Sequence, residues 1–283
     1  MLGGNIDMLV IEGFDDMNKT ISLNGKGLLS KEEVTVSIGK GKVNSGIVFA
    51  VNNEKKEFIP AKIENVSNAI RNTVLTNGKE SICLVEHFLA ACSLLGINDI
   101  EIITNQNELI IGDGSALHWQ DIFLKADLCS DIKEKYDLKE TIFIKKDKKQ
   151  IVAIPHDGFK VSYYMDWNHP ALGKLFASWE SKDGKESEVN KLRLLRARTF
   201  GTKEENDYFG VTDRLLTLDK NGFNKKLHEP LEPLYHKMLD IIGDLRLSGI
   251  NPLEINMHVI GFKSGHELNI EMAKKLKETL LLR

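Results

Sequence analysis

Only three cysteines, Cys83, Cys92 and Cys129, occur in 283 residues, and no two form a Cys-x-x-Cys pair. An odd, widely spaced set excludes a disulfide framework and a thiolate zinc site, so reduced and mostly buried thiols are expected. Long apolar runs are missing as well. The stretches around Phe88 to Leu95 and Leu280 to Leu282 fall well short of the roughly 20 residues that span a bilayer, which excludes an integral membrane segment. Neither sign of charge dominates: 38 basic and 41 acidic residues leave a formal net charge of -3 and no sequence-wide basic field of the kind that draws proteins onto nucleic acid. Met1 to Met17 lacks a basic cluster followed by a long apolar core, so no secretory signal is read there and a cytoplasmic location is expected. Also absent are a Gly-rich phosphate loop after the first strand, a short-period repeat and the His-Glu-x-x-His motif of zinc peptidases.

What is present is a chain with 42% hydrophobic residues, enough to build two domains of about 130 to 150 residues. Val34 to Ile38, Gly46 to Val51 and Asp99 to Thr104 alternate as strands do, with a helical reading over Ile82 to Leu95 between them. The second half restarts with strand-like Thr141 to Lys145, Gln150 to Ile154 and Lys160 to Asp166. A long helix over Leu231 to Leu247, a strand over Leu253 to Gly261 and a helix from about Glu267 follow. The two halves run in a similar order. The polar stretch 127–139 separates them, which gives an extension over 1–18, a first domain over 19–130, a linker over 131–139 and a second domain over 140–283. Strands grouped with helices, without regular βα alternation, predict an α+β fold.

Three segments carry groups suited to chemistry. His236 and Asp240 stand four apart and therefore on one helix face, where they can chelate one ion, and Asp244 extends the same stripe by another turn. Alone, the pair reads first as a hydrogen bond or a solvated face. Glu86 and His87 open an otherwise apolar segment; catalytic zinc sites combine His and carboxylate ligands with a non-ligand Glu as base, while the plainer reading is a helix N-terminal Glu and a satisfied His. His266, in a Gly-flanked loop between a strand and a helix, can stay protonated beside a carboxylate such as Asp244 and pass a proton on. His118, His156, His228 and His258 have no partner at ligand spacing, and Asp113-Gly114-Ser115 reads as a tight turn.

Taken together, VEHFLAA (85–91), GDGSA (112–116), RARTFG (196–201), HKMLDIIGDL (236–245) and KSGHELN (263–269) resemble the UDP-3-O-acyl-N-acetylglucosamine deacetylase family, zinc enzymes that commit material to lipid A synthesis. The resemblance runs from about Lys19 to the C-terminus. It implies two similar halves, each a sheet packed with two helices, forming a β-α-α-β sandwich with Zn²⁺ between them. It also implies His87, His236 and Asp240 as metal ligands, Glu86 as general base and His266 as a second acid/base. Lys237, Thr199 and Asp244 match further positions of the family's catalytic machinery. The implied substrate is an acylated, UDP-linked N-acetylated amino sugar, and the implied reaction is amide hydrolysis with release of acetate.

The departures fall on recognition. Gly27-Leu28-Leu29-Ser30 stands where the family usually has Gly-Leu-His-Ser, the stretch over 201–235 is shorter than the family's, and Tyr235 replaces its usual Arg. These differences keep open a related zinc deacetylase for a different N-acetylated nucleotide-linked sugar, and a zinc-containing binding protein without catalysis.

Overall fold

The computed structural model describes residues 13–15, 18–52, 57–132, 136–182 and 188–281. The first lobe opens with strands β1 (Gly13–Asp15), β2 (Asn18–Lys26), β3 (Glu33–Lys40), β4 (Ile47–Val51) and β5 (Ile59–Pro60). A small antiparallel sheet of β6 (Val66–Asn68), β7 (Val74–Thr76) and β8 (Ser81–Cys83) follows. Helix α1 (Glu86–Leu94), strand β9 (Ile100–Thr104) and helix α2 (Leu117–Lys125) complete the lobe. The main sheet has the order β1-β2-β3-β9-β4-β5, with β9 antiparallel to β3 and parallel to β4. Alternation does its expected work in β3, where Val34, Val36 and Ile38 are buried and Glu33 is exposed.

The second lobe contains β10 (Tyr136–Asp137), β11 (Ile142–Lys146), β12 (Lys149–Pro155), β13 (Phe159–Asp166) and β14 (Lys174–Ser181). Helix α3 (Glu188–Leu195) leads to a unit of β15 (Phe200–Thr202), α4 (Lys203–Phe209) and β16 (Leu216–Asp219), extended by β17 (Gly222–Phe223). Then come α5 (Glu232–Leu245), β18 (Ile255–Phe262) and α6 (His266–Leu281). The main sheet here has the order β11-β12-β18-β13-β14. Tyr136 and Asp137, inside the stretch expected to link the halves, pair with β18 in parallel.

Helices fill the space between the sheets, which gives the expected α+β sandwich: α1 packs on α5, α5 on β13 and β14, and α6 on β11 and β12. One continuous apolar core runs through both lobes. Phe88 of α1 meets Phe49 of β4 and Trp119 and Phe123 of α2 edge to face, at ring distances of 5.6, 5.0 and 5.4 Å. Such pairs add about 0.5–1.5 kcal/mol each beyond the area they bury. Gly243 lets α1 and α5 touch, because a Cβ there would stand 2.0 Å from the Glu86 carbonyl oxygen. No helix among the described residues is long and apolar enough to cross a membrane.

The helix expected over Ile82 to Leu95 begins only at Glu86. Cys83 is taken up by a ladder instead, receiving the Leu109 N–H and giving its own to Asn107, and Leu84 at φ 61° turns the chain before α1. A short apolar run fits either element, and here the neighbouring strand decided it.

Candidate active site

Most of the candidate side chains are placed by the end or the inner face of a helix. Glu86 and His87 occupy the first turn of α1, His236, Lys237, Asp240 and Asp244 lie along α5, and His266 starts α6. Thr199 follows Arg198, whose guanidinium grips buried Glu232 at 2.7 Å. The Asp113–Ser115 turn supports Thr199 from the other side: its N–H donates to the Gly114 carbonyl at 2.8 Å, and Gly114 at φ 94° leaves no room for a Cβ. The tight turn expected there is present, with Ser115 bonded to the Asp113 carboxylate.

His87, His236 and Asp240 converge, with one potential ligand atom from each lying within 4.8 Å of the others, all buried. The Nε2 atoms of His87 and His236 stand 3.4 and 3.5 Å from Asp240 Oδ1, yet that oxygen accepts no hydrogen bond. Two imidazole nitrogens and an unsatisfied, buried carboxylate oxygen form the donor set of a divalent transition metal, so the residues fit such an ion. Burial holds His236 well below its ordinary pKa and therefore neutral. Burial also opposes the charge of Asp240, but His236, Lys237 and His266 face it and hold its carboxyl well below the usual range. Neutral imidazole and ionised carboxylate are the forms that bind metal. Lys237 Nζ donates to Asp240 Oδ2 at 3.0 Å; burial disfavours its charge, and Asp240 more than restores it.

Glu86 is buried beside this cluster, and burial raises its pKa against the opposing pull of His266 and His87. A carboxylate whose charged form is disfavoured in this way is a better proton acceptor than an exposed one. His266 behaves in the opposite sense. Burial alone would lower its pKa, but Asp244, 2.8 Å from Nδ1, and Asp240 push it up to about 10, so it is an imidazolium. Asp244 is saturated: Oδ1 accepts from the Thr73 hydroxyl at 2.7 Å, and Oδ2 accepts from His266 and from Asn269 Nδ2 at 2.9 Å. Thr73 and Asn269 escape sequence reading, since neither stands at a spacing that links it to Asp244.

Two joined cavities open over these groups. One, of about 270 Å³, is walled by Glu86, Thr199, His236, Lys237, Asp240 and His266 among others. The other, of about 340 Å³, shares Glu86 and Thr199 and runs on between Leu28, Leu29, Ile110, Val211 and Leu215. Its far wall belongs to the β15-α4-β16 unit, where Val211 and Leu215 pack with Leu28. Arg214 of that unit donates to the carbonyls of Lys26 and Gly27, and Glu108 accepts the N–H groups of Leu28, Leu29 and Ser30 at 2.9, 2.9 and 2.7 Å. His118, read as having no ligand role, bonds the Ile110 carbonyl instead.

An α+β sandwich with a His–His–Asp cluster and a buried flanking carboxylate between its layers is the framework of a metal-dependent hydrolase. The chain belongs to the UDP-3-O-acyl N-acetylglycosamine deacetylase family, whose sequence profile matches residues 15–278. It is similar to UDP-3-O-acyl-N-acetylglucosamine deacetylases of Trichormus variabilis and of a Nostoc species, each 30% identical over 272 residues, covering 91% of this chain and 96% of the relative. The enzyme of that name from Pseudomonas entomophila is 32% identical over 273 residues, covering 92% of this chain and 88% of its own length.

Proposed function

We propose that this chain is a zinc-dependent N-deacetylase acting in the cytoplasm on UDP-3-O-acyl-N-acetylglucosamine, in lipid A biosynthesis. The observation that carries the reading is buried Glu86, which lines one cavity with His236 and Asp240 of the His–His–Asp cluster and with cationic His266. His87, His236 and Asp240 would hold Zn²⁺, which supplies Lewis-acid polarisation of the amide carbonyl and acidifies water at the site.

Glu86 accepts a proton from the attacking water. The Thr199 hydroxyl and the His266 imidazolium donate hydrogen bonds to the developing oxyanion, and Lys237 adds positive charge toward it or toward the substrate's phosphates. When the C–N bond breaks, the amine leaves with a proton from Glu86 or His266, and acetate is released. Asp244 keeps His266 charged up to the point at which a proton is passed on. A binding protein without catalysis would have no use for Glu86 and His266, neither of which is a ligand. The apolar cavity beyond Glu86 favours an acylated substrate over a bare sugar, and Leu29 gives that wall an apolar face where the family usually has His. The boundaries proposed for the two domains, 19–130 and 140–283, place Glu86 and His87 in one and the remaining groups in the other.

Metal-replete protein should contain about one zinc per chain and release acetate from UDP-3-O-acyl-N-acetylglucosamine faster than from UDP-N-acetylglucosamine. No acetate from either compound would overturn the proposal. Equal rates from both would remove the acyl group from it.

A further inference from the structure

Base and acid reach this site from different lobes, and one residue touches both halves of the arrangement. Thr73 directly precedes β7 in the first lobe and is fully buried. Its backbone N–H donates to Glu86 Oε2 at 3.3 Å, and its hydroxyl donates to Asp244 Oδ1 at 2.7 Å. In the second bond the Thr73 hydroxyl is the donor and the carboxylate oxygen the acceptor. Asp244 in turn holds His266 at 2.8 Å. A single bonded path therefore runs from Glu86 through Thr73 and Asp244 to His266.

This path depends on how closely the lobes approach. Gly243, the neighbour of Asp244, lies against the Glu86 carbonyl where no other residue fits. Arg71, two residues before Thr73, takes a left-handed φ of 69° and lines both cavities. Thr73 contributes no atom to either cavity wall, so it acts through the groups it bonds.

We infer that Thr73 is a positioning residue for the reaction: its hydroxyl fixes Asp244, and through it the His266 imidazolium, at a set spacing from the base Glu86. This inference rests on the deacetylase reading above. The hydroxyl is the active part, because the backbone bond to Glu86 survives any side-chain change. Serine keeps the donor, cysteine keeps a weak one, and valine keeps the shape without it.

The test measures kcat and KM for acetate release from UDP-3-O-acyl-N-acetylglucosamine, with zinc content, for full-length wild type, T73S, T73C and T73V. Loss of a buried hydrogen bond to a charged group predicts a kcat roughly 10- to 100-fold lower in T73V, with KM and zinc within about twofold, T73C intermediate and T73S within about threefold of wild type. If T73V does not fold, the ranking of T73S over T73C carries the test. Wild-type kcat in T73V, equal losses in T73S and T73C, or a loss confined to KM or zinc content would overturn the inference. A wild-type chain that releases no acetate overturns the deacetylase reading and this inference together; an active wild type matched by T73V overturns this inference alone.

Discussion

Helices α1 and α5 touch back to back at the centre of the molecule and present their polar groups in different ways. Every residue of α1 is buried, and its two ionisable groups sit in the first turn with only apolar or small residues behind them. Along α5 the polar groups form a stripe one turn apart in mid-helix, each carboxylate met from the side. Glu86 accepts one hydrogen bond among the described residues, a long one from Thr73, whereas Asp244 accepts three. The consequence is chemical. An under-partnered buried carboxylate has its charge opposed and can exchange a proton, while one engaged on both oxygens, as Asp244 is, holds other groups in place.

The largest effect should fall on the metal cluster, where the two helices contribute to one object. His87→Ala and His236→Ala should each lose tightly held zinc and bring acetate release to background, measured by metal analysis and assay at saturating substrate. Retention of zinc by either variant would assign that helix a different role. The next effect separates the helices: Glu86→Gln should retain zinc but lower turnover about 10²- to 10⁴-fold, and a variant losing both would make Glu86 part of the metal site.

Asp244→Asn tests the saturated side. His266 is protonated below its pKa, so activity that needs the imidazolium is lost as pH rises through about 10 in the wild type. Without the Asp244 charge that limb should move down toward the ordinary histidine range near 6.5. An unmoved basic limb of the kcat/KM profile would detach His266 from the step. The smallest effect belongs to the apolar cavity. Leu215→Ala should raise KM for the acylated substrate about tenfold, as expected for roughly 1.4 kcal/mol of lost burial, and leave UDP-N-acetylglucosamine unaffected.

The contrast between the helices also governs how much could be read in advance. His236, Asp240 and Asp244 recur at a spacing that any helix turns into one face, so their alignment was visible in the sequence. Glu86 and His87 lie side by side at a helix end, where spacing carries little information, and only the company of the other motifs drew them out. The start of α1 is not legible in the sequence, because the apolar run before it serves β8 equally well. The β15-α4-β16 unit shows in the sequence only as a shortened stretch, since its apolar residues acquire meaning by facing Leu28 and Leu29 from another lobe.

By itself, then, the sequence determined the α+β class, the family and the helical stripe. These rest on local periodicity, composition and linked motifs, which need no knowledge of distant contacts. Only the tertiary structure decided that Thr73 joins Asp244 across 171 positions, that Asn269 completes that carboxylate, that Gly243 admits α1 against α5, and that an apolar cavity leads away from Glu86. Each of those depends on burial and on partners brought together by packing. The same burial that strips water from Glu86 raises its pKa, and the same packing that seats Asp244 beside His266 keeps the imidazole charged.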